Sequence, residues 1–306
     1  MENENVSIPK NDDENILKVK SMYDLPLELY ELFNALNITE QTKTTYYNDY
    51  MRLKMMLKTK GHIGNLPQKK VLEVIQSTDK SKLPLLNIAI MLYKNKNNSN
   101  NRLVTYREKL YDEKNNNQAD KNKMILENSN ATYDDLIRAL NEAKNTDYVL
   151  FYLLQNYNLR NLDLILKLIT DKKELNKTDN FLLLTQHQAI IYINNYKTKD
   201  YYGEKIFKIT DEKFRNIIKL LIEMGNDYVL ETRGGNPYNQ NTMGKYIKAR
   251  YKVYIDNSNL SQSVIYKIIQ NKAEQDGNIK EIFKMSKNRG HLPQTALTSY
   301  SSINKE

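Results

Sequence analysis

The sequence predicts a mainly α-helical chain with a small β region, an α+β fold in more than one part. Three observations carry this. Apolar residues recur at helical spacing along most of the 306 residues, as Tyr46, Tyr50, Leu53 and Leu57 do. Three short β-prone runs, residues 180–185, 188–193 and 205–210, lie close together and are separated by turn text. An Asn/Lys-rich stretch, residues 94–130, divides two apolar-patterned regions and reads as a helix and linker, with a boundary near Asn130. The expected organisation is a tail over 1–20, a helical domain over 21–95, a linker helix over 96–130, a second domain over 131–302 and a tail over 303–306.

Each element has a local reason. Residues 1–20 are charged, Asn-rich and poor in large apolar side chains, so they are expected to stay mobile. Pro26 permits a helical start through Leu27, Leu29, Tyr30, Leu32 and Phe33. Thr39 is an N-cap, with Glu40 favourable in the first turn, although Thr42 leaves the reciprocal box without a carboxylate. A turn over 61–67 and helices over 69–76 and 82–93 follow. Residues 131–136 open a capped helix running to about Ala143, and Tyr148–Gln155 is an apolar helix. Thr210 is expected to cap a helix through Met224. Further helices are expected over 239–254, 260–269 and 277–285.

Composition narrows the chemistry. The chain has no cysteine, which excludes disulfides, thiolate metal sites and a cysteine nucleophile. His62, His187 and His291 are far apart, so a metal site is not expected, though carboxylates alone could hold magnesium. No cofactor is expected. A net charge of +9 favours a polyanionic partner, nucleic acid first. No run approaches a membrane span, and the acidic, polar start lacks the order of a secretory signal. The expected setting is intracellular, on DNA.

Four pieces of sequence then fall in a suggestive order. Arg160 follows the apolar helix, with Asp163 three residues on. Lys197 and Lys199 lie in the turn between the second and third β runs. Arg289-Gly290-His291-Leu292 is followed by Tyr300, nine residues beyond the histidine. Over about residues 37–302 this order resembles the tyrosine recombinases, the phage-integrase family. The text Asn195-Tyr196-Lys197-Thr198 is similar to that of recombinases from large DNA viruses.

The resemblance implies a small helical core-binding domain and then a catalytic domain with a three-stranded antiparallel sheet. It implies that Tyr300 attacks a DNA phosphodiester to give a 3′-phosphotyrosyl link. Arg160 and His291 would stabilise the phosphorane, with Asp163 pinning the guanidinium. Lys197, or Lys199 as second choice, would protonate the leaving 5′ oxygen. An arginine fork suits two phosphate oxygens, and an ammonium on a flexible stem suits a leaving group. No metal or nucleotide is needed, because the covalent link conserves the bond energy. Double-stranded DNA and a tetramer on paired sites are the implied partners.

One box departs from the family. Where a second arginine belongs, the best spacing sets Ser263 first and Tyr266 at the arginine, with Lys267 one residue beyond. Tyrosine has a single neutral donor; Lys267 could serve as a point charge, and Arg250 or Arg289 could reach in from elsewhere. Lys43, Arg52, Lys54, Lys58 and Lys60 on the first domain, and Lys245, Lys248, Arg250 and Arg289 on the second, are candidate DNA contacts or solvated faces. The departure keeps an alternative open, a catalytically degenerate recombinase-fold protein that binds or packages DNA.

Overall fold

The computed structural model describes residues 25–36, 38–79, 81–196, 198–292, 295, 297 and 301. The expected tails, Lys197 and Tyr300 lie outside the described residues. The described part is mainly helical with one four-stranded sheet, an α+β fold. It divides into two compact units, Met1–Lys114 and Asn115–Glu306.

The first unit contains α1 (Leu27–Ala35), α2 (Glu40–Leu57), α3 (Gln68–Gln76) and α4 (Lys82–Asn95), and α5 (Asn101–Asn116) begins in it. Thr39 caps α2, its hydroxyl accepting from the Thr42 amide at 3.3 Å. Leu29, Tyr50, Leu53, Ile75, Leu85 and Leu86 fill the core, and full burial of each leucine or isoleucine is worth about 1.5–3 kcal/mol. Glu28 is buried there and satisfied by the Tyr50 hydroxyl, the Ile63 amide at 3.0 Å and Lys54 Nζ at 3.3 Å.

The second unit continues with α6 (Gln118–Glu127), α7 (Tyr133–Glu142) and α8 (Asn145–Tyr157). The stretch expected as one linker helix therefore holds two. Thr132 and Asp135 form a reciprocal capping box at the start of α7. On α8, Val149, Leu150, Phe151, Leu153 and Leu154 are all buried, an almost all-round apolar helix that suits a central position. Beyond it come β1 (Leu166–Ile169), β2 (Asn180–Leu184), β3 (Ala189–Ile193), the short α9 (Lys199–Tyr202) and β4 (Lys205–Ile209).

The sheet order is β1-β2-β3-β4. It corrects the expectation of a purely antiparallel, three-stranded sheet. β2–β3 and β3–β4 are antiparallel hairpin pairs, but β1 runs parallel to β2. The four residues of β1 escaped the pattern because Lys167 interrupts a short apolar run, and the strand is stabilised by pairing with β2 rather than by its own propensity.

The chain closes with α10 (Glu212–Glu223), α11 (Gln240–Tyr251), α12 (Gln262–Gln275) and α13 (Ile279–Arg289). The cap of α10 is Asp211, not Thr210: its carboxylate accepts from the Phe214 amide at 2.7 Å. α11 packs on α8 through Tyr251, whose ring stacks on Phe151 at 3.9 Å between centroids. No helix among the described residues is long and apolar enough to cross a membrane.

Candidate active site

The site is built where chain reversals meet. α8 ends at Asn158 in the left-handed conformation, φ 55°, which turns the chain into Leu159-Arg160. Asp163, only 1% exposed, reaches back and accepts from the Arg160 amide at 3.0 Å. Asp163 thus fixes the backbone of Arg160; the expectation that it pins the guanidinium is not what the geometry gives. The guanidinium is turned instead to His291, with Nη2 against the imidazole Nε2. Arginine is always the donor, so Nε2 accepts and the ring proton belongs on Nδ1 in this arrangement. Arg160 Nη1 is buried without a hydrogen-bond partner among the described residues.

His291 owes its position to Gly290. α13 ends in a Schellman pair, the Gly290 amide donating to Lys287 O at 2.9 Å and the His291 amide to Ser286 O at 2.9 Å. Gly290 has φ 64°, and a Cβ there would stand 2.5 Å from Thr198 Oγ1 and 3.1 Å from Lys205 Nζ. Glycine is required on both counts. Thr198 donates to the Gly290 carbonyl at 3.1 Å, tying the β3–β4 connection to the end of α13.

Lys205, the first residue of β4, was not among the residues singled out by sequence. Its Nζ donates to Asn288 O at 2.8 Å and lies 3.8 Å from the centre of the Tyr196 ring. Burial pushes the ammonium pKa down to about 8; Asp163 opposes the shift, and Arg160 and Arg289 add to it. Burial also raises the Asp163 pKa above the usual carboxylate range, against the Arg160 amide and the charges of Lys205, Arg160 and Arg289. Three cations therefore share one buried carboxylate, and the cluster keeps a positive surplus.

The hairpin is held in register with the Arg160 segment by Asn180. Its amide oxygen accepts from the Asn194 and Asn195 amides at 2.8 and 2.7 Å, and its nitrogen donates to Leu162 O at 3.2 Å and Asn195 O at 3.3 Å. Tyr196 closes the same turn by donating to Gly203 O at 2.6 Å.

Arg289 joins the cluster from the last turn of α13. It is 3% exposed, with its guanidinium 4.3 Å from the centre of the Tyr266 ring. With the Gln262 amide oxygen turned towards it, Gln262 accepts from both Arg289 Nη1 and Nη2, the latter at 3.1 Å. Tyr266, at the position where the spacing sets the second arginine, is 1% exposed and its ring faces that cation.

Lys267 is also buried and is bonded to Asn122 Oδ1 on α6. Burial, and secondarily Arg289, lower its pKa to about 8. Asn122 in turn donates to Ser301 O at 2.6 Å, and Ser301 Oγ donates to Glu274 at 3.0 Å. Lys267 is thus linked through Asn122 to Ser301.

Other candidates sort by partner. Lys199 Nζ donates to Lys177 O, away from the cluster. Arg250 is committed to the buried Asp147, with Nε on Oδ1 at 2.6 Å and Nη2 on Oδ2, so it does not reach the cluster. Lys43 pairs with Glu40 at 2.7 Å, Arg52 Nη2 reaches Thr78 Oγ1 at 3.5 Å, and Lys54 serves Glu28. Lys58, Lys60, Lys245 and Lys248 are exposed. Lys245 and Lys248 line a hollow with Asn161, Ser261 and Gln262, next in sequence or contact to Arg160 and Arg289. Among the described residues no three His, Asp or Glu side chains gather as a metal site.

No protein-family model and no curated protein matches the chain. Among solved structures it is similar to the crystal structure of XerA recombinase, at 12% identity over 90% of this chain and 94% of that chain, with a TM-score of 0.41. At that identity no residue's role passes from one chain to the other.

Proposed function

We propose that the protein is a DNA strand transferase that cleaves and rejoins a phosphodiester through a tyrosyl intermediate. The observation that carries this reading is the convergence of Arg160, after α8, Lys205, on β4, and Arg289 and His291, at the end of α13, with Asp163 beside the three cations and His291 against Arg160. Such a surplus of donors and positive charge suits a phosphoryl group whose charge grows on its equatorial oxygens.

In this reading Tyr300 Oη forms the new bond to phosphorus and its phenolic proton passes to water. The bond from phosphorus to the 5′ oxygen breaks, and Lys205 gives that oxygen its proton. Arg160 and His291 hold the non-bridging oxygens. A 5′ hydroxyl then reverses the step, so no external energy source is required. Lys205 takes the acid's role here because its ammonium is in the cluster and its pKa of about 8 suits proton donation near neutrality; Lys197 is its competitor. Exposed Lys245 and Lys248 would contact neighbouring phosphates. Double-stranded DNA is the partner, and assembly as a tetramer on paired sites is part of the same reading.

The test uses a pool of nicked duplexes of randomised sequence, with covalent adducts trapped in denaturant and sequenced. Wild type is expected to yield adducts of a defined sequence, and Tyr300→Phe none. A second reading, a DNA-binding protein without strand chemistry, is favoured by Lys267 being bonded to Asn122 and Tyr266 being buried. It predicts salt-dependent duplex binding with no adduct from the whole pool.

A further inference from the structure

We infer that Arg289 is the second guanidinium of the phosphate site, presented by the end of α13 and held for that task by Tyr266 and Gln262. The inference rests on the strand-transfer reading above and assigns a residue to it. A phosphorane carries charge on more than one equatorial oxygen, so a cation on one side leaves the other uncompensated. Arg160 supplies one fork. Arg289 supplies a second: it stands between Asn288, whose carbonyl accepts from the Lys205 ammonium at 2.8 Å, and His291, which lies against Arg160.

The surroundings of Arg289 suit a ligand-exchange role. Its face lies on the Tyr266 ring, which orients the plane and leaves the edges to make hydrogen bonds. Two of those edge donors go to the neutral amide oxygen of Gln262. Gln262 also lines the hollow that carries Lys245 and Lys248. A phosphate oxygen entering from that hollow exchanges a neutral acceptor for an anionic one, and charge-assisted bonds are the stronger kind. Gln262 then swings out as the phosphate takes its place. Tyr266 and Gln262 are positioning residues in this scheme, while Arg289 touches the substrate.

The probe is the duplex recovered from the randomised pool, made once with the ordinary phosphodiester and once with a neutral methylphosphonate at the scissile position. Arg289→Ala is expected to slow adduct formation about 100- to 1000-fold on the phosphodiester, the size seen for loss of one oxyanion donor. On the methylphosphonate, which brings less charge to stabilise, the loss shrinks at least tenfold. Duplex affinity stays within about threefold, because one phosphate contact among many is removed. Tyr266→Leu, which loosens the guanidinium without removing it, is expected to slow the reaction by about three- to tenfold.

A purely structural role for Arg289 predicts equal losses on both probes, and that result would overturn the proposal. So would a folded Arg289→Ala protein reacting within threefold of wild type. Arg289→Lys keeps the cation and the aliphatic stem, and carries the same comparison should the alanine variant not fold. Wild-type protein that binds duplex but yields no adduct from the pool refutes the strand-transfer reading itself, a result distinct from the failure of Arg289.

Discussion

Replacing Lys205 with methionine separates proton donation from packing. Methionine keeps an unbranched stem and loses the ammonium, with its place over the Tyr196 ring and its bond to Asn288 O. With a pKa of about 8, Lys205 is about nine-tenths protonated near pH 7 and about one-tenth near pH 9. The cleavage rate of wild type should therefore fall about tenfold across that interval, where a lysine at its ordinary value would leave the profile flat. Lys205→Met should lower the rate by about 100- to 10,000-fold, roughly 3–5 kcal/mol of barrier.

The assay is single-turnover adduct formation on two duplexes, one with the natural 5′ oxygen leaving group and one with sulfur in its place. A thiolate departs without a proton, so the loss in Lys205→Met should nearly vanish on the sulfur substrate. Equal losses on both substrates, or a flat profile through about pH 10, would refute the assignment. If Lys197→Met shows the rescue and Lys205→Met does not, the acid is the hairpin lysine read from the sequence.

Other substitutions probe the scaffold. Gly290→Ala should destabilise the protein by about 1–3 kcal/mol in urea denaturation, because φ 64° and the 2.5 Å approach to Thr198 both oppose a Cβ. Asn180→Ala should cost about 1–3 kcal/mol by the same measurement, since the buried Asn194 amide loses its acceptor, together with the more exposed Asn195 amide. Arg250→Ala should cost about 1–3 kcal/mol, discounted for the partial exposure of the arginine, by leaving Asp147 unpaired. Its duplex affinity should remain within about threefold of wild type; a large loss would show that the arginine serves DNA after all.

Much of the helical text was legible because its periodicity is strong. α2, α3, α4 and α10 begin and end within a few residues of their expected bounds. β2, β3 and β4 were legible as short apolar runs of aliphatic and aromatic residues between turns. What escaped depends on tertiary pairing. β1 is stabilised by β2, and α9 is a single turn inside a hairpin. The cap of α10 lies one residue later than expected, because the Asp211 carboxylate bonds the Phe214 amide and, as an anion, suits the helix start. At the site, Arg160 and His291 were visible through flanking motifs, whereas Lys205 had none.

A signal for Lys205 does exist, and it is one of phase. Along β4, Lys205, Phe207 and Ile209 are more buried than Ile206 and Lys208, so the lysine stands on the inner face of the strand. On α13, Arg289 follows Ile282 and Met285 at helical spacing and falls on the buried stripe. A cation in phase with core residues is costly unless something compensates it, and a carboxylate partner is the usual compensation. Here Lys205, Arg160 and Arg289 all bear on the buried Asp163, and Asp163 spends one oxygen on a backbone amide. Among the described residues, Lys205 donates to the Asn288 carbonyl, Arg289 to the Gln262 amide oxygen and Arg160 to the His291 imidazole, three neutral acceptors. Folding therefore places three cations in the interior beside one carboxylate, with several of their donors on neutral acceptors that are weaker than an anion would be. That imbalance is the physical reason to expect an anionic ligand at this place, and it holds whether or not the ligand is cleaved there.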